Sequence, residues 1–170
     1  MLAGGVYDDG ASIDAEAAVA LRLVAGQYGT EGNADGGPDM GCLVEPRGLA
    51  VDAARQAVFI ASLHSVRCLD LRTGLLSTVA GDGDEEGSAD GSGRSARFNN
   101  LRGIALSPDG SELAVCDFWN HCVRQIVLPV RSSLSSTASS DASVRVAILA
   151  GGAGSPAGTL CTPNGVAYDR

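Results

Sequence analysis

Carboxylate side chains are concentrated in residues 82–90, which run Asp-Gly-Asp-Glu-Glu-Gly-Ser-Ala-Asp. Their spacing matches the first nine positions of an EF-hand loop, in which side-chain oxygens bind calcium. The twelfth position is Gly93 where that loop needs a bidentate Glu, and no amphipathic helical pattern flanks the run. The sequence therefore favours a solvated loop over a calcium site, and we expect no cofactor.

Two further sets of polar residues could do chemistry. Asp117 and Arg124 lie on consecutive predicted strands, and we interpret them as an ion pair or hydrogen-bonded clasp between those strands. A polar surface site is the alternative. His64 and His121 occupy equivalent positions of a repeat, which favours a structural hydrogen bond because acid–base catalysis needs one His in one place.

Motifs of covalent and phosphate chemistry are absent from the sequence. It has no Gly-x-Ser-x-Gly elbow, no Walker phosphate loop and no Cys-x-x-Cys pair. We therefore predict no catalytic residue. Trp119, at a predicted loop tip, is the candidate interaction residue because aromatic side chains are favoured at binding hot spots. Packing of Trp119 on a neighbouring unit is the alternative.

These residues belong to a sequence repeat whose copies are offset by 55 residues. The offset becomes 57 where His64, Val66 and Arg67 align with His121, Val123 and Arg124. The gapless part aligns Val24, Ala25, Gly26, Glu31, Gly32, Ala34, Asp35, Gly36, Arg47 and Gly48 with Val79, Ala80, Gly81, Glu86, Gly87, Ala89, Asp90, Gly91, Arg102 and Gly103. A third copy begins at residues 149–152 and reaches residues 163–167. Such a period indicates units that stack or are arranged radially.

Each of the two longer copies contains four short runs typical of strands. The predicted strands are residues 48–51, 57–61, 66–71 and 75–80, then 103–106, 112–116, 122–128 and 144–150; residues 21–25 are predicted as a further strand. The first strand of each copy is apolar and a later one is mixed, as in a β-propeller blade whose first strand lies nearest the axis. We predict an all-β fold of four-stranded antiparallel propeller blades.

The repeat divides the chain into four predicted segments. Residues 1–20 are a degenerate or truncated N-terminal piece, and residues 21–77 form the first blade. Residues 78–150 form the second blade, with a Ser-rich surface insertion at 131–143, and residues 151–170 begin a further blade.

The repeated motif resembles the NHL repeat. It contains Val-Ala-Gly, a glycine-rich loop, Arg-Gly-Ile-Ala-Leu, Pro-Asp-Gly and Asn-His-x-Val-Arg. The signature residues of the second copy are Gly81, Gly87, Asp90, Gly91, Phe98, Gly103, Ile104, Asp117, Asn120, His121, Val123 and Arg124. The first copy departs by having Ser62 where Asp117 stands and by lacking the Trp119–Asn120 pair.

The resemblance implies a propeller that is usually six-bladed, of which this chain holds about two and a half blades. An open arc would leave apolar blade faces in water, so we expect either a longer protein or self-association that closes the ring. The family further implies a non-catalytic scaffold that binds a protein partner.

Two other functions are alternatives to the scaffold. Gluconolactonase-like metal-dependent hydrolases, which share this fold, use an Asn within a Pro-Asn-Gly segment as a metal ligand, and Asn164 is the matching residue. Arg47 and Arg102 occupy the equivalent positions of the other copies and would repel a cation. RNA binding by a propeller face is disfavoured by the net charge of −8.

The composition indicates a cytoplasmic setting by default. No apolar run approaches the roughly 20 residues that span a bilayer, and the N-terminus lacks the basic region of a secretory signal. The five cysteines favour reduced thiols, although a bridge between Cys116 and Cys122 on neighbouring strands is geometrically conceivable.

Overall fold

The computed structural model describes residues 23–129, 143–152 and 160–169. The predicted N-terminal piece, residues 1–20, and residues 131–142 of the predicted insertion lie outside the described residues. The described chain forms two antiparallel β-sheets, which confirms the all-β prediction. Among these residues, no helix has the length and apolar character needed to cross a membrane.

The first sheet has the strand order β1-β2-β3-β4. Its strands are β1 (Pro46–Asp52), β2 (Ala57–Ser62), β3 (Ser65–Asp70) and β4 (Leu76–Gly81). The predicted four-strand content of this copy is thus present, but β4 crosses the boundary predicted between residues 77 and 78. Residues 23–25 were predicted as part of a strand and form none. Their equivalents, residues 78–80, form a strand because β3 pairs with them, whereas no described strand precedes residues 23–25.

The second sheet has the order β5-β9-β8-β7-β6. Its strands are β5 (Gly91–Ser92), β6 (Leu101–Leu106), β7 (Glu112–Asp117), β8 (Cys122–Val127) and β9 (Arg145–Gly151), and a 3-10 turn at Gly93–Ser95 follows β5. The short β5 attaches the glycine-rich loop to the outer edge of β9. In the first sheet, Gly36 bridges Leu76 of β4 in the same way. Each glycine-rich loop therefore closes the outer edge of its own sheet.

The turn between β6 and β7 has the conformation expected of Pro-Asp-Gly. Gly110 has φ +71°, which glycine adopts without a Cβ penalty, and its N–H donates to the Ser107 carbonyl at 2.8 Å. The Asp109 carboxylate accepts hydrogen bonds from the N–H and hydroxyl of Ser111 and from the Ser107 hydroxyl. These bonds lower the pKa of Asp109 to about 2.

The main core lies between the two sheets. Phe59 and Val66 of the first sheet and Leu113 and Ile126 of the second are fully buried in one cluster, together with Phe98 from the second glycine-rich loop. The β-branched and aromatic residues that favour strands thus also provide the apolar layer that joins the sheets.

The first strands β1 and β6 lie beside each other at a close approach of their backbones. A Cβ on Gly48 would lie 2.2 Å from the Arg102 carbonyl oxygen. The equivalent contact joins β6 to the third copy, where a Cβ on Gly103 would lie 2.8 Å from the Asn164 carbonyl oxygen. Glycine is therefore required at this position so that consecutive first strands can pack.

Equivalent positions have different exposure in the two sheets. Leu49 and Val51 of β1 are 65% and 63% exposed, whereas their counterparts Ile104 and Leu106 pack into the core between the sheets. On the other side, Val166 and Tyr168 of the third copy pack against the outward face of the second sheet. The described residues therefore form a succession of equivalent layers whose first face is uncovered.

Candidate functional site

Arg124 is fully buried and forms hydrogen bonds to the glycine-rich loop of its own sheet. Its guanidinium donates to Asp117 Oδ2 at 3.0 Å and to Asp90 Oδ1 at 2.6 Å. It also donates to the backbone carbonyls of Arg97 and Ala89, both at 3.1 Å. The predicted ion pair between Asp117 and Arg124 is thus present, with both side chains shielded from water.

Arg67 of β3 forms an equivalent clasp in the first sheet. Its guanidinium donates to Asp35 Oδ1 at 2.8 Å and to the carbonyls of Cys42 and Ala34, both at 3.0 Å. These three partners align with Asp90, Arg97 and Ala89 of the second copy. A buried arginine that ties loop to strand is therefore a property of the repeat.

Asp35 has additional partners. It accepts from the Thr78 hydroxyl at 2.9 Å and pairs with Arg94 of the second copy. Partial burial raises the pKa of Asp35, but the hydrogen bonds from Thr78 and the charges of Arg67 and Arg94 outweigh it, so the pKa lies below its ordinary value. The carboxylate is therefore held in its charged form.

The position of Asp117 has the same backbone role in both copies. Asp117 Oδ1 accepts from the Asn99 N–H at 2.8 Å, and the Ser62 hydroxyl accepts from the equivalent Val44 N–H at 3.3 Å. Burial raises the pKa of Asp117, opposed by hydrogen bonds from Asn120 and Asn99 and by the guanidinium of Arg124. Ser62 in the first copy thus provides a neutral hydrogen-bond acceptor where the second copy has the charged Asp117.

The two histidines form hydrogen bonds between consecutive copies, in agreement with the structural role predicted for them. Nδ1 of His64 accepts from the Asn100 N–H at 3.4 Å, and Nδ1 of His121 accepts from the Thr162 N–H at 3.2 Å. Asn100 and Thr162 are equivalent residues with φ of +61° and +45°. Both histidines therefore make the same contact between consecutive copies.

The signature glycines lie at loop and strand ends. Gly81 ends β4 with φ +84°, and a Cβ there would lie 2.4 Å from the His64 carbonyl oxygen. Gly87 donates its N–H to the Phe98 carbonyl at 3.1 Å, and Gly91 begins β5.

The acidic residues of the 82–90 run contact other side chains and do not converge on one point. Glu85 pairs with Arg97 at 2.9 Å, Asp82 lies 3.7 Å from the same guanidinium, and Asp84 accepts from the Asn33 amide at 2.8 Å. Within the described ranges, no group of three or more His, Cys, Asp or Glu side chains is arranged to hold a metal ion. The five cysteines, all within those ranges, are free thiols, so Cys116 and Cys122 are not bridged.

The candidate metal ligand Asn164 contacts a cationic side chain. Its Oδ1 accepts from Arg102 Nη1 at 3.2 Å. The positive charge of Arg102 thus lies next to the oxygen that would bind a metal ion.

Phe118 and Trp119, between β7 and β8, form a partly exposed aromatic pair. Trp119 is 53% exposed, and its ring meets that of Phe118 edge-on with centroids 4.9 Å apart. Their backbone N–H groups donate to the Asn100 and Asn99 carbonyls at 3.3 and 3.1 Å. The exposed anchor was one of two alternatives for Trp119, and its backbone is fixed by this turn.

Arg102 completes this surface in an arrangement that the sequence motifs did not predict. Its guanidinium lies 3.7 Å from the centroid of the Phe118 ring, a cation–π contact. We call Arg102, Phe118, Trp119 and Asn164 the Arg102–Trp119 surface. The repeat alignment gave Arg102 and Asn164 equivalent positions. It gave no indication of the aromatic contact of Arg102, since Phe118 has no aromatic counterpart in the first copy.

Comparisons with known proteins identify structures of similar fold but no family. No protein-family model matches the chain, and no curated protein sequence matches it. Similar solved structures include an auxiliary nutrient binding protein from Bacteroides thetaiotaomicron (TM-score 0.55) and one from Bacteroides ovatus (TM-score 0.52). Each is 20% identical over 71% of this chain, which spans 32% of the length of either protein. The similarity at this identity shows a shared all-β fold.

Proposed function

We propose that the chain is a non-catalytic part of an NHL-type β-propeller and acts as a scaffold that binds a protein partner. The repeated clasps support the propeller. Arg67 and Arg124 fasten equivalent loops to equivalent sheets, and the histidines and glycines join consecutive copies by equivalent contacts. Units that bury their faces on like units need either a capping unit at each end or closure into a ring, and NHL-type propellers use closure.

The uncovered first face supports the same arrangement. Leu49 and Val51 occupy the positions of Ile104 and Leu106, which the preceding sheet covers. We therefore expect a further unit to cover them, supplied either by more of the same chain or by a second copy that closes the ring. Light scattering of the purified chain separates these cases, because ring closure by self-association requires a discrete β-rich oligomer.

The single observation that carries the binding role is the exposed, backbone-fixed Trp119 beside a stacked Arg102. Trp and Arg are the side chains most enriched at binding hot spots, and a preorganised pair loses little conformational entropy when a partner binds. The similar solved structures are named as auxiliary nutrient binding proteins.

A photo-crosslinking amino acid at position 119 tests the scaffold. The matched control is position 71, because Leu71 is also a half-exposed apolar residue but follows β3, at the opposite end of the strands. We expect crosslinking to one defined protein from position 119 alone. With that protein purified, Trp119→Ala should weaken binding by about tenfold or more, the loss typical of a hot spot, and Leu71→Ala should not. Equal behaviour of the two positions would refute the scaffold on this surface.

The contact between Arg102 and Asn164 argues against the metal-dependent hydrolase. That function requires a divalent metal to raise the unfolding temperature and Asn164→Ala to remove the effect. RNA binding requires an affinity that falls steeply with salt.

A further inference from the structure

Arg102 differs from most arginines of the described ranges in having no acidic partner among the described residues. Apart from Arg102 and Arg145, every arginine in the described ranges has a carboxylate oxygen within 4.0 Å. The contacts of Arg102 are neutral, namely the Asn164 amide oxygen and the Phe118 ring. Its Nε is buried without a hydrogen-bond partner among the described residues. A stacked guanidinium with its charge uncompensated is thus held at the surface of an otherwise acidic chain.

We infer that the Arg102–Trp119 surface binds a protein segment in which a carboxylate side chain lies next to an apolar one. This inference rests on the scaffold function proposed above. The guanidinium fork matches a carboxylate in shape and charge, and stacking on Phe118 restricts its orientation before a ligand arrives. Trp119, about half exposed, provides the adjoining apolar contact.

Arg47 provides a second positive charge on the neighbouring first strand. It occupies the repeat position of Arg102, and Gly48 next to it packs against the Arg102 backbone. Its ion pair with Glu45 is solvent-exposed, so exchanging Glu45 for a ligand carboxylate costs little. An acidic segment that crosses from β6 to β1 can therefore meet both arginines.

A carboxylate ligand fits these observations better than RNA. Single-stranded RNA also stacks on aromatic rings, but its affinity depends on several basic residues that follow the phosphates. This surface offers Arg102 and the already paired Arg47, in a chain with a net charge of −8. The balance of charge therefore favours a single carboxylate over a polyphosphate strand.

The test is selection of short random peptides on the purified chain, followed by titration of a synthesised peptide. Trp119 is the only tryptophan, so its fluorescence reports binding at this surface. We expect the selected peptides to share an Asp or Glu beside an apolar residue. The amide version of the peptide and the Arg102→Gln variant should each bind about tenfold or more weakly, and combining them should add little further loss.

The controls separate charge, geometry and folding. Arg72→Gln removes an exposed arginine beyond β3 and should leave binding unchanged. Arg102→Lys keeps the charge but loses the fork, so it should bind more weakly than the parent chain and more tightly than Arg102→Gln. Circular dichroism verifies that each variant is folded.

Three outcomes would overturn the inference: no selected peptide shows saturable binding, the acid and amide peptides bind equally well, or Arg102→Gln binds the peptide as tightly as Arg72→Gln does. Displacement of the peptide by a single-stranded RNA, with steep salt dependence, would assign the surface to RNA instead. If position 119 still crosslinks a protein while Arg102 has no effect, this inference fails and the scaffold function stands.

Discussion

Replacing Arg124 by Met tests the physical basis of the clasp. The fully buried guanidinium has partners in two carboxylates and two backbone carbonyls. Without it, the fully buried Asp117 carboxylate keeps only its hydrogen bonds from Asn120 and Asn99. Removing one partner of a buried ion pair costs about 3 to 5 kcal/mol, so we expect a loss of that size in the free energy of unfolding.

Arg67→Met is the internal control because Arg67 makes the same backbone contacts. Its carboxylate partner Asp35 is 33% exposed and keeps Thr78 and Arg94 as partners. Neutral Ser62 stands where Asp117 would be, so no buried charge is left unpaired. The Ala34 carbonyl still accepts from the Cys42 N–H at 3.0 Å, so the loss is limited to the unsatisfied Cys42 carbonyl, about 1 to 3 kcal/mol. Arg124→Met should therefore be the more destabilising variant by about 2 kcal/mol.

Asp117→Ser in the Arg124→Met background gives the second copy a serine at the position that Ser62 occupies in the first copy. The second substitution should recover part of the stability lost in Arg124→Met, although Asp117→Ser alone is destabilising. The double-mutant cycle should therefore give a coupling free energy between Asp117 and Arg124 of about 1 to 3 kcal/mol. Urea unfolding followed by circular dichroism at neutral pH measures all five proteins. Equal losses for Arg124→Met and Arg67→Met, or no recovery with Asp117→Ser, would refute the reasoning.

Three further predictions concern packing, thiol reactivity and pH. Gly48→Ala places a Cβ against the neighbouring backbone and should cost about 1 to 3 kcal/mol in urea unfolding, whereas Gly165→Ala, with nothing within 4 Å, should change stability by less than about 1 kcal/mol. At neutral pH a thiol reagent should modify exposed Cys161 rapidly, whereas Cys122, whose pKa burial raises to about 11, should react only after unfolding; mass spectrometry locates the label. Because the pKa of Asp35 is lower in the folded than in the unfolded chain, its carboxylate stabilises the fold above the unfolded value of 3.8, and this contribution is lost as pH falls through the folded value. Asp35→Asn should therefore be less stable than the parent at neutral pH, with a difference that shrinks below about pH 4 in urea titrations at each pH.

The sequence predicted those features that each copy builds from its own residues. Strand positions follow from apolar runs and turn residues, and the partners Asp117 and Arg124 are on adjacent strands of one hairpin. The structural role of His64 and His121 also followed from their recurrence, although their partners Asn100 and Thr162 lie in the following copy. Local pairing and repetition together were enough for these predictions.

Contacts between copies were harder to predict. Arg55, in the turn after β1, donates to the Gly110 and Pro129 carbonyls of the second sheet at 2.7 and 3.2 Å. The second copy has Gly110 at the position of Arg55, so repetition gives no indication of this bridge. The stacking of Arg102 on Phe118 likewise depends on how a first strand lies against a later turn. Such contacts are set by the angle between strands, which hydrophobic periodicity does not encode.

Positions that are equal in all copies serve the fold, so the positions where the copies differ are where a function can be placed. The first strands carry Arg47, Arg102 and Asn164 at one such position. A third arginine would repel Arg102, whereas the neutral amide of Asn164 accepts its hydrogen bond at 3.2 Å and leaves its charge unbalanced. Asn164→Asp would place a carboxylate beside that guanidinium and compete with an acidic ligand. We expect this variant to fold normally by circular dichroism yet to bind an acidic peptide as weakly as Arg102→Gln does. Unimpaired binding by Asn164→Asp would show that the charge of Arg102 is not what the ligand contacts.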